Sequence, residues 1–358
     1  MDRGKCKFFG NRNKIVMDLN EIIREHALPF LPAKSLFRCT GVCRDWKLQI
    51  STPFFAHNQS VSFHDMSGFF SQCQSDPPSF TPLNPMAYGV PDPSLSFLPE
   101  LVDIIASSNG LLCCQGRTRY NAYYICNPVT KHWKKLPKPT ADHGSDPAVV
   151  LVFEPSLLSF VAEYKLVCAF PSELDGYEFE IYSSVEGSWR VTGEICFGDR
   201  RVVPRSGVHA DGIIYWQTMH SGIMAFDLQM ERSQLLSHYG HGKSALGAMN
   251  RKLCSASIVG SKITIDVLSN PYTNTMQMHS GIKTWETKVL TINLDATEVV
   301  LDSSSLLGVL FVNDDVVVFR AGTKLFSYYL KTQRIMHLLA EFAEKKKFVA
   351  YVNSLVEI

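Results

Sequence analysis

The stretch Leu28-Pro29-Phe30-Leu31-Pro32-Ala33-Lys34-Ser35-Leu36-Phe37-Arg38-Cys39-Thr40-Gly41-Val42-Cys43-Arg44-Asp45-Trp46-Lys47-Leu48-Gln49-Ile50-Ser51-Thr52-Pro53-Phe54-Phe55 decides how the rest of the chain is read. After Pro32, apolar residues recur at Leu36, Cys39, Val42/Cys43, Trp46 and Ile50. Spacings of three and four lay them along one helical stripe. Pro32 suits the first position of such a helix, and Gly41 marks a joint between two short ones. Ser51, Thr52 and Pro53 end the run. Upstream, Asp18 is a candidate N-cap with Glu21 three residues on, and Leu19, Ile22, Ile23 and His26 share a face. The pattern predicts about three short helices. A unit so small buries little surface and needs a partner or a following domain to cover its apolar side.

The blocks Leu31-Pro32-Ala33-Lys34-Ser35-Leu36, Val42-Cys43-Arg44-Asp45-Trp46 and Ile50-Ser51-Thr52-Pro53-Phe54-Phe55 stand in the order of an F-box, and the region resembles that of plant F-box proteins. The opening departs from the family. Leu19 falls on its first Leu, Asn20 stands in place of Pro, and Ala27-Leu28 replaces an Ile-Leu pair. The resemblance implies docking on a Skp-type adaptor and, through it, a cullin–RING ubiquitin ligase, with apolar helix anchors entering a groove. It assigns that contact to Leu19, Ile23, Leu28, Leu31, Pro32, Leu36, Val42, Cys43 and Trp46. Leu31, Leu36 and Trp46 read equally as helical core, since such side chains serve cores and interfaces alike.

Downstream, residues 76–99 carry seven prolines, which excludes helix and central strand. The stretch from about residue 57 to 102 is read as a Pro-rich linker, with Val61–Phe63 as an isolated strand. From Asp103 on, short strands alternate with turns. Asn109-Gly110, Asp211-Gly212 and Asn313-Asp314 each sit between apolar runs, as in hairpins. Asn127–Trp133 and Ser183–Trp189 share one arrangement: strand exit, turn, edge-strand Trp. Met-His-Ser-Gly-Ile occurs at 219–223 and again at 278–282, as a duplicated connection would. Units of about fifty residues give five or six blades across 103–358, with the strand near Phe348–Val356 closing the ring.

This part resembles the kelch-like, F-box-associated domain of plant F-box proteins, through Ser108-Asn109-Gly110-Leu111-Leu112-Cys113, Cys126-Asn127-Pro128-Val129-Thr130, Trp133, Leu136-Pro137 and Gly187-Ser188-Trp189-Arg190. The glycine-pair kelch signature is absent. The expected fold is therefore α+β multidomain: a flexible segment 1–16, a three-helix F-box at 17–56, the linker at 57–102, and an all-β propeller of about five to seven blades at 103–358.

Composition sets the remaining bounds. The 358 residues are 46% hydrophobic and 19% charged, as in globular proteins. Net charge is +1, so bulk charge points to neither nucleic acid nor an anionic membrane. Ten Lys/Arg against five Asp/Glu in the first sixty residues leave the remainder at −4, a basic head on a mildly acidic body. No apolar run reaches membrane-spanning length, and Met1–Lys14 lacks the apolar stretch of a secretory signal. An intracellular location, cytoplasm and/or nucleus, follows as the expectation, with the ten cysteines reduced.

Catalytic motifs are scarce. Ser237–Ser244 ends like a P-loop but begins with Ser where the motif needs Gly, so it reads as an inter-blade loop. His238 and His241 are close enough to share a metal, yet no acidic or thiol ligand adjoins them. Lys345-Lys346-Lys347 reads as a solvated turn rather than a nuclear signal. No cofactor or metal is expected. The reading is a non-catalytic ubiquitin-ligase subunit whose propeller holds a substrate protein. The loops Gly116–Asn121, Ser172–Gly176, Arg200–Ser206 and His238–Lys243 are candidates for the contact. The alternative is a propeller-based carbohydrate binder or enzyme unrelated to ubiquitin.

Overall fold

The computed structural model describes residues 19–73, 76–118, 122–198, 201–219, 222–237, 244–259, 262–269, 285–291, 307–341 and 347–358. The head is α1 (Leu19–His26), a 3-10 turn at Leu28–Phe30, α2 (Ala33–Cys39), α3 (Arg44–Ile50) and α4 (Pro53–Ser62). About three helices were expected, and the fourth begins at Pro53, where the helical run was expected to end. Thr52 caps it by accepting from the Phe55 N–H at 3.1 Å, with Pro53 at its first position. Val61 lies in α4 and Phe63 at its C-cap, so neither belongs to the expected isolated strand. Pro32 is the residue before α2 rather than its first.

The strands are β1 (Gly68–Gln72), β2 (Ser79–Pro82), β3 (Val102–Ser108), β4 (Leu111–Gly116), β5 (Tyr123–Cys126), β6 (Trp133–Lys135), β7 (Ala148–Phe153), β8 (Tyr164–Ser172), β9 (Gly176–Ser183), β10 (Ser188–Phe197), β11 (Val208–Ala210), β12 (Ile213–Gln217), β13 (Gly222–Asp227), β14 (Arg232–Ser237), β15 (Ala245–Met249), β16 (Lys252–Val259), β17 (Lys262–Leu268), β18 (Trp285–Thr291), β19 (Leu307–Val312), β20 (Val316–Ala321), β21 (Lys324–Tyr329), β22 (Arg334–Glu341) and β23 (Lys347–Tyr351). Among the described residues they form five four-stranded antiparallel sheets of consecutive strands and one three-stranded sheet, ordered β2-β1-β23. This is a six-bladed propeller.

The last blade closes the ring with strands from both ends of the propeller. β23 pairs with β1 from Gly68↔Tyr351 to Gln72↔Lys347. The stretch read as a linker thus supplies two strands. Proline hid them: β2 is the blade's outer edge, where Pro82 at its end breaks no ladder, while β1 is buried throughout and shows no alternation. Six apolar layers, one between each pair of neighbouring blades, make a core that runs around the ring.

The turns explain the repeat. Asn109 and Gly110 both have positive φ, as do Asp211 and Gly212, which fits the twist of a two-residue hairpin. Asn313-Asp314 works differently: the Asn313 side chain accepts from the N–H groups of Asp315 and Val316. Before each of the fourth strands β6, β10, β14 and β22 stands a residue of positive φ: Lys131, Gly187, Glu231 and Gln333. Lys131, Gly187 and Gln333 each donate to the carbonyl four residues back at 2.8 Å. The likeness of 127–133 to 183–189 is this shared turn. Of the repeated pentapeptide, residues 220–221 and 278–282 lie outside the described residues, as do 1–18.

Candidate partner-docking site

Each four-stranded blade runs from its inner strand outward, so its first-to-second and third-to-fourth connections emerge on one face. The second-to-third and blade-to-blade connections emerge on the other. The head sits on the first of these faces. Phe160, from the β7–β8 connection, meets the rings of Phe54 and His57 at 5.9 and 6.0 Å. A groove of about 410 Å³ separates α4 from the β5–β6 turn and the C-terminal segment.

The seam of the ring anchors the head. Leu28, Leu36, Ile50 and Phe55 are buried in one cluster with Leu98, Tyr124, Val129, Tyr351 and Leu355. Gln59, fully buried, donates to the Leu31 carbonyl at 3.3 Å and accepts from the Leu355 N–H at 3.3 Å. The seam's own clamp is Asn127. Its side chain donates to the carbonyls of Ser354 and Val356 at 2.9 and 2.8 Å and accepts from the Val129 N–H. Gly110 lies against Ser354, where an added Cβ would overlap the serine. Its carbonyl accepts from the Tyr351 hydroxyl at 3.2 Å. Both residues belong to the blocks that carried the family resemblance, and both serve ring closure.

The nine residues expected to dock divide. Leu19 and Val42 are exposed at 68% and 63%, and Cys43 is exposed as well. The Cys43 sulfur accepts from the Trp46 N–H at 3.5 Å, capping α3. Ile23, Leu31, Pro32 and Trp46 are half-buried, and all but Pro32 pack on the seam cluster. Leu28 and Leu36, which the resemblance also assigned to the contact, are buried in that cluster. Ile22, Phe30, Phe37 and Leu48 are exposed apolar side chains that the motif did not single out. Helical spacing had already placed Ile22 on the face of Leu19. Arg24 and Gln49 tie α1 to α3 reciprocally, at 2.6 and 3.2 Å, holding these side chains on one rigid unit.

The four candidate substrate loops all fall on second-to-third or blade-to-blade connections, opposite the head. Of these, residues 119–121, 200 and 238–243 lie outside the described residues. They include most of the P-loop-like stretch and both histidines weighed, and set aside, as a metal pair. Lys345 and Lys346 also lie outside. Among the described residues no group of three or more His, Cys, Asp or Glu is placed to hold a metal. No helix there is long and apolar enough to cross a membrane.

Sequence reasoning also missed a buried polar network behind these loops. The Tyr123 hydroxyl meets His143 Nδ1 at 2.9 Å, and His143 Nε2 meets Glu180 at 2.7 Å. Glu180 also accepts from the backbone N–H groups of Thr140 and Ala141 and from the Thr140 hydroxyl. Burial pushes the Glu180 carboxyl up, but its bonds to His143 and Thr140 outweigh burial and hold it below the ordinary value. With Tyr123, His143 and Glu180 buried, the network bolts the β6–β7 connection to the next blade. Trp189 adds a bond from its indole N–H to the Pro137 carbonyl at 2.8 Å.

Comparison with known proteins bears on this geometry. A family model described as "F-box protein At3g26010-like, beta-propeller" matches residues 94–346. F-box protein At5g49610 of Arabidopsis thaliana is 38% identical over 111 residues, 30% of this chain and 30% of that protein. F-box protein At5g07610 is 30% identical over 253 residues, 64% of this chain and 58% of its own length. F-box/kelch-repeat protein At3g61590, from the same plant, is 30% identical over 146 residues, 40% of this chain and 34% of that one. The matches span from about a third to somewhat over half of these relatives' length.

Proposed function

Since the chain belongs to the F-box β-propeller family of plant proteins, we propose that it is the substrate-recognition subunit of a Skp–cullin–F-box ubiquitin ligase. The head docks the adaptor, and the opposite face of the propeller holds the target. The observation that carries this reading is the exposed apolar set Leu19, Ile22, Phe30, Val42 and Leu48, on a head whose other side is locked into the ring. Scattered surface leucines are ordinary, whereas several on one small helical unit mark a partner surface.

The mechanism is positional. A substrate held on one face, with the adaptor on the other, meets the charged conjugating enzyme at raised effective concentration. No side chain of this chain takes part in bond making. The test is capture of the full chain by a purified Skp-type adaptor, with Leu19→Asp/Val42→Asp beside the wild type. Capture that the double variant loses while keeping its melting temperature supports the reading. Equal capture by both would refute the assigned surface, and no capture of folded wild type would refute the adaptor.

A further inference from the structure

The channel through the ring is about 600 Å³ and is lined by the six inner strands and their approaches. At the end opposite the head stands Arg205, on the approach to β11. Val203, Pro204, Arg205 and Ser206 form a turn closed by Ser206 N–H to Val203 carbonyl at 3.3 Å. Pro204 takes its second position and Arg205, with φ 60°, its third. That third position favours glycine, and a long side chain there is held at a cost in backbone strain.

The strained residue carries a guanidinium that is only partly satisfied. Its side chain is nine-tenths buried. Nε donates to the Ile104 carbonyl at 3.2 Å and Nη1 donates to Asp146. Among the described residues Nη2 has no acceptor, an unfavourable state for a buried charged donor. Nor is the charge fully matched. Lys347 at the start of β23 takes the same Asp146 oxygen at 2.9 Å, so two cations share one carboxylate. The adjacent Asp103 is engaged by Arg117 at 3.0 Å. Among the described residues, these ion pairs join three cations, Arg205, Lys347 and Arg117, to two carboxylates.

We propose that this end of the channel is an anion-recognition site, in which Arg205, backed by Lys347, takes a carboxylate or phosphate group presented by a bound protein. One more anionic group would balance the cluster and give Nη2 its acceptor. Guanidinium suits either oxyanion, because its planar fork matches both. The site rests on the receptor reading only for its occupant. It lies on the face where that reading puts the target, and it gives the target a chemical feature: an acidic or phosphorylated side chain.

The experiment is thermal unfolding of the full chain at constant ionic strength, with chloride replaced by inorganic phosphate in one series and by acetate in another. The wild type, Arg205→Gln, Arg205→Lys, Lys347→Gln and the surface control Arg190→Gln are compared. Each variant is read against its own chloride melt, so a lower starting stability does not obscure the response. A specific anion raises the melting temperature in wild type and in Arg190→Gln. The expected apparent affinity falls about tenfold or more in Arg205→Gln and by less in Lys347→Gln and Arg205→Lys. The larger of the phosphate and acetate responses identifies the preferred group. An equal response in Arg205→Gln and wild type, or none in wild type, overturns the proposal. Adaptor capture is scored on the same samples. Capture lost with the anion response intact counts against the receptor reading alone, and the converse counts against this site alone.

Discussion

The two faces of the propeller differ in what their residues are fixed to. On the head-bearing face, several residues of the family blocks are committed inward. Asn127 clamps the C-terminal segment, Gly110 lies against Ser354, and Leu36 and Ile50 fill the seam. On the opposite face, the turns at 116–118, 173–175 and 203–206 hang from strands whose registers are set elsewhere. Ring closure thus requires particular side chains on the head-bearing face. The turns of the other face carry no such contact with the seam, and loops of that kind are where binding residues commonly sit.

Four variants sharpen this contrast, in falling order of effect. Leu19→Asp/Val42→Asp should weaken adaptor capture by roughly a hundredfold while leaving the melting curve in place, since both side chains are exposed. Leu36→Ala should cost about 2–5 kcal/mol of stability in denaturant titration, since it opens a cavity in the seam. Asn127→Ala should cost roughly 2–3 kcal/mol, because it leaves two buried carbonyls without donors. Full stability in that variant would show that the C-terminal segment is held by its apolar contacts alone.

The smallest effect is one of pH. The Glu180 carboxyl is depressed in the folded state. Its contribution is present above the unfolded carboxylate value of about 4.3 and is lost as pH falls through the lower folded value. Glu180→Gln should therefore be destabilised at pH 7, with the gap to wild type narrowing as the medium is acidified below about pH 4. A gap that stayed constant in urea titrations across that range would show that the carboxylate charge is not what His143 and Thr140 hold.

The propeller was legible where turn chemistry is local. Asn109-Gly110 and Asp211-Gly212 announce their hairpins, and the last strand's role in closure followed from the need to remove an edge. Asn250-Arg251 makes a turn of positive φ at both residues with no glycine to signal it. β1 and β2 were hidden because their partner lies at the other end of the chain, and pairing over that separation leaves no local period. For the residues expected to dock, the motif records which positions are apolar, but not whether each is exposed or buried against the ring. That distinction separates Leu19 and Val42 from Leu28 and Leu36. Arg205 was invisible, because its meaning depends on a turn conformation and on Asp146 and Lys347, neither near it in sequence.

The most direct test is amide hydrogen exchange on the full chain with and without a Skp-type adaptor. New protection should appear in α1, the Leu28–Phe30 turn and the start of α3, while residues 116–118, 173–175 and 203–206 exchange as in the free protein. Protection of those opposite turns with none in the head would contradict the division of labour between the two faces.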